Sequence, residues 1–120
     1  MIDVAALGWN PAWVGELDHR TLRTPSLKLR AAREGVRGDR IFAVDLRVRA
    51  PNADACLSST ELHSVEHFLL EGFGRLLGER FVSVGIMGCR TGFYLLFQDE
   101  GRAAVLCDAL ERILLDMRRA

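Results

Sequence analysis

The stretch Ser58-Ser59-Thr60-Glu61-Leu62-His63-Ser64-Val65-Glu66-His67 decides how the rest of the chain is read. Ser58 followed three residues later by Glu61 is a capping-box signature, so a helix opens here. Leu62, Val65, Leu69, Phe73 and Leu76 recur at helical spacing as one apolar stripe, which carries the helix to about Leu77, with Gly78 as a natural stop. Gly72 and Gly74 each weaken such a helix by up to ~1 kcal/mol relative to alanine, which predicts close packing of another backbone there.

The same helix carries an H-x-x-E-H pattern. Side chains four apart stand one above the other, so His63 and His67 can offer a ring nitrogen each to one divalent ion. Glu66, three residues from His63, can then reach a bound water or substrate without being a ligand, as on inverted zinc-binding helices. Two histidines at this spacing also occur on ordinary amphipathic helices, and these six residues alone support both readings.

Working outward, the chain alternates on either side of the helix. From Ser26, Leu27, Leu29 and Ala31 face one way and Lys28 and Arg30 the other. Gly35 and Gly38-Asp39 supply turn chemistry, and over residues 40 to 49 Phe42, Val44, Leu46 and Val48 point inward, leaving Asp45, Arg47 and Arg49 together on the opposite face. Residues 80 to 87 and 93 to 98 predict a second, more deeply buried hairpin around Gly88-Cys89-Arg90-Thr91-Gly92. A last helix runs from about Arg102 to Met117, burying Val105, Leu106, Ala109, Leu110, Ile113 and Leu114. The order β-β-α-β-β-α predicts an α+β layer, one antiparallel sheet with helices on one face. Residues 1 to 15, with Trp9 and Trp13, read as an irregular arm whose aromatics want a surface, a partner subunit being one candidate.

A chain of 120 residues with 49% apolar and 27% charged content suits one soluble domain over residues 1–120. Sixteen basic and sixteen acidic side chains cancel, so no overall field favours nucleic acid or an anionic membrane. Nine Arg/Lys fall between His19 and Ala50, most simply as a solvated hairpin face, with one or two available to a substrate carboxylate. The N-terminus lacks a basic leader and an apolar run, and no stretch approaches the ~18 apolar residues of a spanning helix, so a cytoplasmic protein is expected. Cys56, Cys89 and Cys107 form no C-x-x-C pair and suit reduced thiols. Cys107 reads as core, whereas Cys89, bracketed by glycines and next to Arg90, suits a reactive thiolate. A small residue in a tight hairpin is the plainer reading of Cys89.

Leu62-His63-Ser64-Val65-Glu66-His67 followed by Met87-Gly88-Cys89-Arg90-Thr91-Gly92-Phe93-Tyr94, preceded by Glu16-Leu17-Asp18-His19 and by Asp45-Leu46-Arg47 with Pro51-Asn52, resembles the S-ribosylhomocysteine lyase (LuxS) family of autoinducer-2 producers. The resemblance covers roughly residues 14 to 117. It implies a LuxS-like fold and a divalent ion, iron(II) with zinc or cobalt as substitutes, held by His63 and His67. Cys89 and Glu66 are the implied proton-transfer groups, and His19 and Arg47 the implied substrate contacts; from the residues themselves Arg90 is an alternative anion contact to Arg47, and either arginine could instead form a structural ion pair with Asp45. A homodimer with active sites at the subunit interface is implied as well. The implied reaction moves a ribose carbonyl by successive enolisations and then eliminates homocysteine, the cation polarising oxygen while the flanking bases move protons.

The sequence departs from the family pattern in three places. It stops at Arg118-Arg119-Ala120, before the loop that carries the family's third metal ligand, a cysteine, so a shortened member is expected whose third ligand is Cys107, Asp108, Glu111, a group of a second subunit, or solvent. Val14 stands where the family has a substrate-contacting serine, and Gly85-Ile86 replaces its Ser-Pro. Two further readings follow: an isomerase, epimerase or lyase acting on a different sugar-derived substrate, and a dimeric relative without turnover. A metallopeptidase is disfavoured, since such sites draw a further glutamate from far downstream and only 53 residues follow His67.

Overall fold

The computed structural model describes residues 2–15, 26–48, 58–88 and 91–119. The elements are β1 (Ser26–Glu34), β2 (Arg40–Arg47), α1 (Ser59–Leu77), β3 (Phe81–Ile86), β4 (Gly92–Gln98) and α2 (Ala103–Arg119). The four strands form one antiparallel sheet in the order β1-β2-β4-β3, so the two hairpins meet along β2 and β4 at the centre. This is the α+β arrangement of two β-β-α units expected from the hydrophobic patterns.

The period-two alternation fixes the faces. Phe42, Val44 and Leu46 of β2 and Phe93, Leu95 and Phe97 of β4 are buried on the helix side with Leu29 of β1. They meet Leu62, Leu69 and Phe73 of α1 and Leu106, Leu110 and Ile113 of α2. Phe73 stacks on Phe81 and meets Phe97 edge-on, both with centroids 5.3 Å apart, which seats the C-terminal half of α1 over the start of β3. α1 then runs back against β3, so its first turns lie toward the end of the sheet where the β3–β4 hairpin opens.

α1 starts as its cap predicts. The Ser58 hydroxyl accepts from the Glu61 amide at 3.1 Å and the Glu61 carboxylate accepts from the Ser58 amide at 3.0 Å. It ends at Gly78, whose φ is +59°. Gly72 is the glycine that close packing requires, since a Cβ there would collide with the Ile113 side chain. Gly74 has open space around it, and what approaches Gly72 is the Ile113 side chain rather than another backbone, so the expected backbone approach is found at neither.

Four expectations change. Trp9 finds its surface within its own chain: it is buried, its indole Nε1 donates to the Gly101 carbonyl at 2.6 Å, and the Ala103 amide donates to the Leu7 carbonyl at 2.8 Å, so this segment braces the start of α2. The second hairpin is not uniformly deeper than the first; β4 is buried on its helix-facing side, with Tyr94 and Leu96 exposed on the other, and β3 is an edge strand with Val82 and Ile86 exposed. On α2, Leu114 is exposed and Cys107 lies on the exposed side, because the helix meets the core along Leu106, Ala109, Leu110 and Ile113, with Ala103 and Met117 packed at its ends. A shift in strand register between Leu29 and Ala31 interrupts the simple alternation of β1.

Candidate active site

His63 and His67 lie in the second and third turns of α1, and helical geometry brings their rings together as the four-residue spacing requires. The two Nε2 atoms are 3.0 Å apart and the rings cross at 83°. Metal–nitrogen bonds are about 2.1 Å long, so two nitrogens at this separation can both reach one ion. The rings are exposed on this single chain, while Glu66 between them is half-buried. The imidazole pair therefore fits a divalent ion in donor chemistry and spacing. Among the described residues no group of three His, Cys, Asp or Glu side chains assembles, so the shell is not completed there. In particular Cys107 and Glu111 are exposed on α2, and Asp108 is engaged by Arg112 at 3.2 Å; none of the three joins the histidines as third ligand. Although Cys107 is exposed, partial burial of its sulfur pushes the thiol up.

Arg47 ends the central strand β2 and is buried rather than solvated. Its Nη1 donates to the Thr91 Oγ1 at 2.8 Å. Asp45, two residues back on the same strand face, is also buried; both its oxygens accept from Arg30 Nε at 3.0 Å, and Arg30 Nη2 approaches at 2.7 Å. Lys28 stands 3.9 Å from the same carboxylate, and the Arg30 guanidinium lies 5.6 Å from the Tyr94 ring centroid. The expectation of a solvated face thus fails for Asp45, Arg47 and Lys28: Arg30 and Lys28 gather on the buried Asp45 carboxylate, Lys28 also donates to the Gly15 carbonyl, and Arg47 donates to Thr91.

Cys89, Arg90 and His19 lie outside the described residues, as do Arg49 and Cys56. The frame on either side of Cys89 is described. The Met87 amide donates to the Gly92 carbonyl at 3.0 Å and the Val48 amide to the Thr91 carbonyl at 2.9 Å, so the hairpin base is tied both to itself and to the end of β2. Thr91 is the residue that sequence reasoning missed. It appears in the quoted motif only as a neighbour of Cys89, and its pairing with Arg47, 44 positions away, follows from the β2–β4 register alone.

Comparison with known proteins agrees with this architecture. The profile of the family described as S-Ribosylhomocysteinase (LuxS) matches residues 15–120. An S-ribosylhomocysteine lyase of Halobacillus halophilus is 35% identical over 104 residues, which cover 87% of this chain and 67% of that protein. Proteins of the same name from Dichelobacter nodosus and Listeria monocytogenes serotype 4a are 36% and 33% identical over 104 residues, 87% of this chain and 66% of theirs. The chain thus spans about two thirds of the length of the relatives it matches. From the matched 106 positions (15 to 120) and the β-β-α-β-β-α frame that carries the paired histidines, it follows that the chain belongs to the S-ribosylhomocysteinase (LuxS) family.

Proposed function

We propose that this chain is a metal-dependent carbon–sulfur lyase that releases homocysteine from S-ribosylhomocysteine. One observation carries the reading: in a member of this family, His63 and His67 bring their Nε2 atoms to 3.0 Å with Glu66 between them on the same helix. A bound divalent ion, iron(II) before zinc or cobalt, would act as a Lewis acid toward the sugar oxygen.

The chain's own residues do the rest. His63 and His67 would hold the ion through one ring nitrogen each. Cys89, as thiolate, removes the proton next to the ribose carbonyl, and Glu66 serves the later proton transfers that carry the carbonyl along the sugar. Once the carbonyl stands two carbons from the carbon bearing sulfur, loss of the proton between them expels the homocysteine thiolate. Arg47, with Arg90 and His19, binds the polar groups of the substrate. Residues 1–120 act as one domain.

A second copy of the chain completes the enzyme. The sheet face opposite the helices presents Ile41, Tyr94 and Leu96 as exposed apolar groups with Ala43 among them, the kind of face that a partner covers. No helix of the described residues is long and apolar enough to cross a membrane.

Release of free thiol from S-ribosylhomocysteine by metal-loaded protein, followed with a thiol reagent, tests the reading. Turnover that disappears in Cys89→Ala supports it. No thiol from S-ribosylhomocysteine, with turnover of another sugar thioether, moves the reading to a related substrate. No turnover of either leaves a non-catalytic relative.

A further inference from the structure

Thr91 grips the end of β2 twice. Its hydroxyl oxygen accepts from Arg47 Nη1 at 2.8 Å, and its carbonyl accepts from the Val48 amide at 2.9 Å. Both partners of the side-chain bond are buried, Thr91 at 1% and Arg47 at 5% exposure. Gly92 sets the depth of this contact. It faces Arg47 across the ladder, and a Cβ there would collide with the Leu46 carbonyl, so only glycine lets the two chains come this close.

A guanidinium can only donate, and the threonine oxygen is an acceptor of fixed position. An arginine held at one nitrogen has less side-chain freedom left to lose when a ligand orders it. Thr91 follows Cys89 by two residues in the sequence, and the hairpin base is pinned by Met87 and Gly92. The same residue thus couples the segment that carries the thiol to the arginine on the neighbouring strand.

We propose that Thr91 is a positioning residue for substrate binding: its hydroxyl fixes the Arg47 guanidinium beside the base of the β3–β4 hairpin, so that the arginine meets the substrate in one orientation. The inference rests on the reading of Arg47 as a substrate contact. Thr91→Val keeps the shape and removes the acceptor, whereas Thr91→Ser keeps the acceptor and removes a methyl group.

The experiment measures kcat and KM for homocysteine release from S-ribosylhomocysteine by the metal-loaded full chain, in wild type, both Thr91 variants, Arg47→Ala and the Thr91→Val/Arg47→Ala double variant. Thr91→Val is expected to raise KM about tenfold with kcat within about threefold, and Thr91→Ser to stay within about threefold in both. In the Arg47→Ala background, Thr91→Val should add nothing further. An unchanged KM in Thr91→Val, equal damage in both Thr91 variants, or an undiminished effect without Arg47 overturns the inference. Failure of the underlying reading looks different: wild type releases no homocysteine, or Arg47→Ala matches wild type.

Discussion

Ile113 of α2 occupies the space directly over Gly72 of α1, so closely that a Cβ on Gly72 would overlap its Cγ1. The two helices meet there and again where Arg75 Nη2 reaches Asp116 at 2.9 Å, three residues further along each helix. These contacts hold α2 against the C-terminal half of α1, the helix that carries His63 and His67. Gly72→Ala gains helix propensity but overpacks this contact, and a net loss of about 1–3 kcal/mol is expected. Chemical denaturation reads it. A variant as stable as wild type contradicts the contact.

The buried carboxylate of Asp45 gathers Arg30 and, at longer range, Lys28. Asp45→Asn keeps the shape but removes the charge and leaves the cations facing an amide. Because Arg30 is partly exposed, water offsets part of the cost, and a loss of about 2 kcal/mol is expected. The same denaturation measurement checks it, and a change below about 0.5 kcal/mol, the range of an ordinary surface substitution, would place this cluster in solvent.

Glu100 sits buried just before α2 and accepts from Arg102 Nε at 3.1 Å, Nη2 at 2.7 Å and the Arg102 amide at 3.2 Å. The side-chain hydrogen bonds from Arg102 are the main cause of a carboxyl held below the ordinary range, with burial opposing them. Since the folded pKa is the lower one, the stabilisation is full above the unfolded value, near ~4.3, and is lost as pH falls through the folded value. Wild type should therefore exceed Glu100→Gln in melting temperature at neutral pH, with the gap closing in acid below about pH 4. A gap that is independent of pH would contradict this.

The two tryptophans report on the N-terminal segment. Trp9 is buried and hydrogen-bonded to Gly101, whereas Trp13 is 51% exposed. In Trp13→Phe the remaining emission should be blue-shifted and resistant to acrylamide quenching. In Trp9→Phe it should be red-shifted and readily quenched, with stability lowered by about 1–3 kcal/mol from lost packing and an unpaired carbonyl. Equal quenching of both variants would mean that this segment does not pack on α2.

The parts of the fold legible in the sequence were those set by local chemistry. The capping box at Ser58 and Glu61, the alternation of Phe42, Val44 and Leu46, and the four-residue spacing of the histidines each act within a few residues, and each appears as read. Features decided by distant partners were not legible. Cys107 and Leu114 belong to an apolar helix, and only the line along which α2 meets the sheet leaves them outside the core. Trp9 looked unattached because Gly101 is 92 residues away. Charges on β1 and β2 read as solvated, since nothing local announces that Lys28 and Arg30 meet on Asp45 or that Arg47 meets Thr91. Of the site, the helix motif could be read and placed; the Thr91 contact depends on strand register and could not be read.

The account stands on His63 and His67 jointly holding a divalent ion, and elemental analysis of anaerobically purified protein, wild type beside His63→Ala and His67→Ala, tests this most directly. About one ion per chain is expected in the wild type, with loss from either variant, as for a site whose ligands act together. Metal absent from the wild type, or retained equally in both variants, would contradict the account.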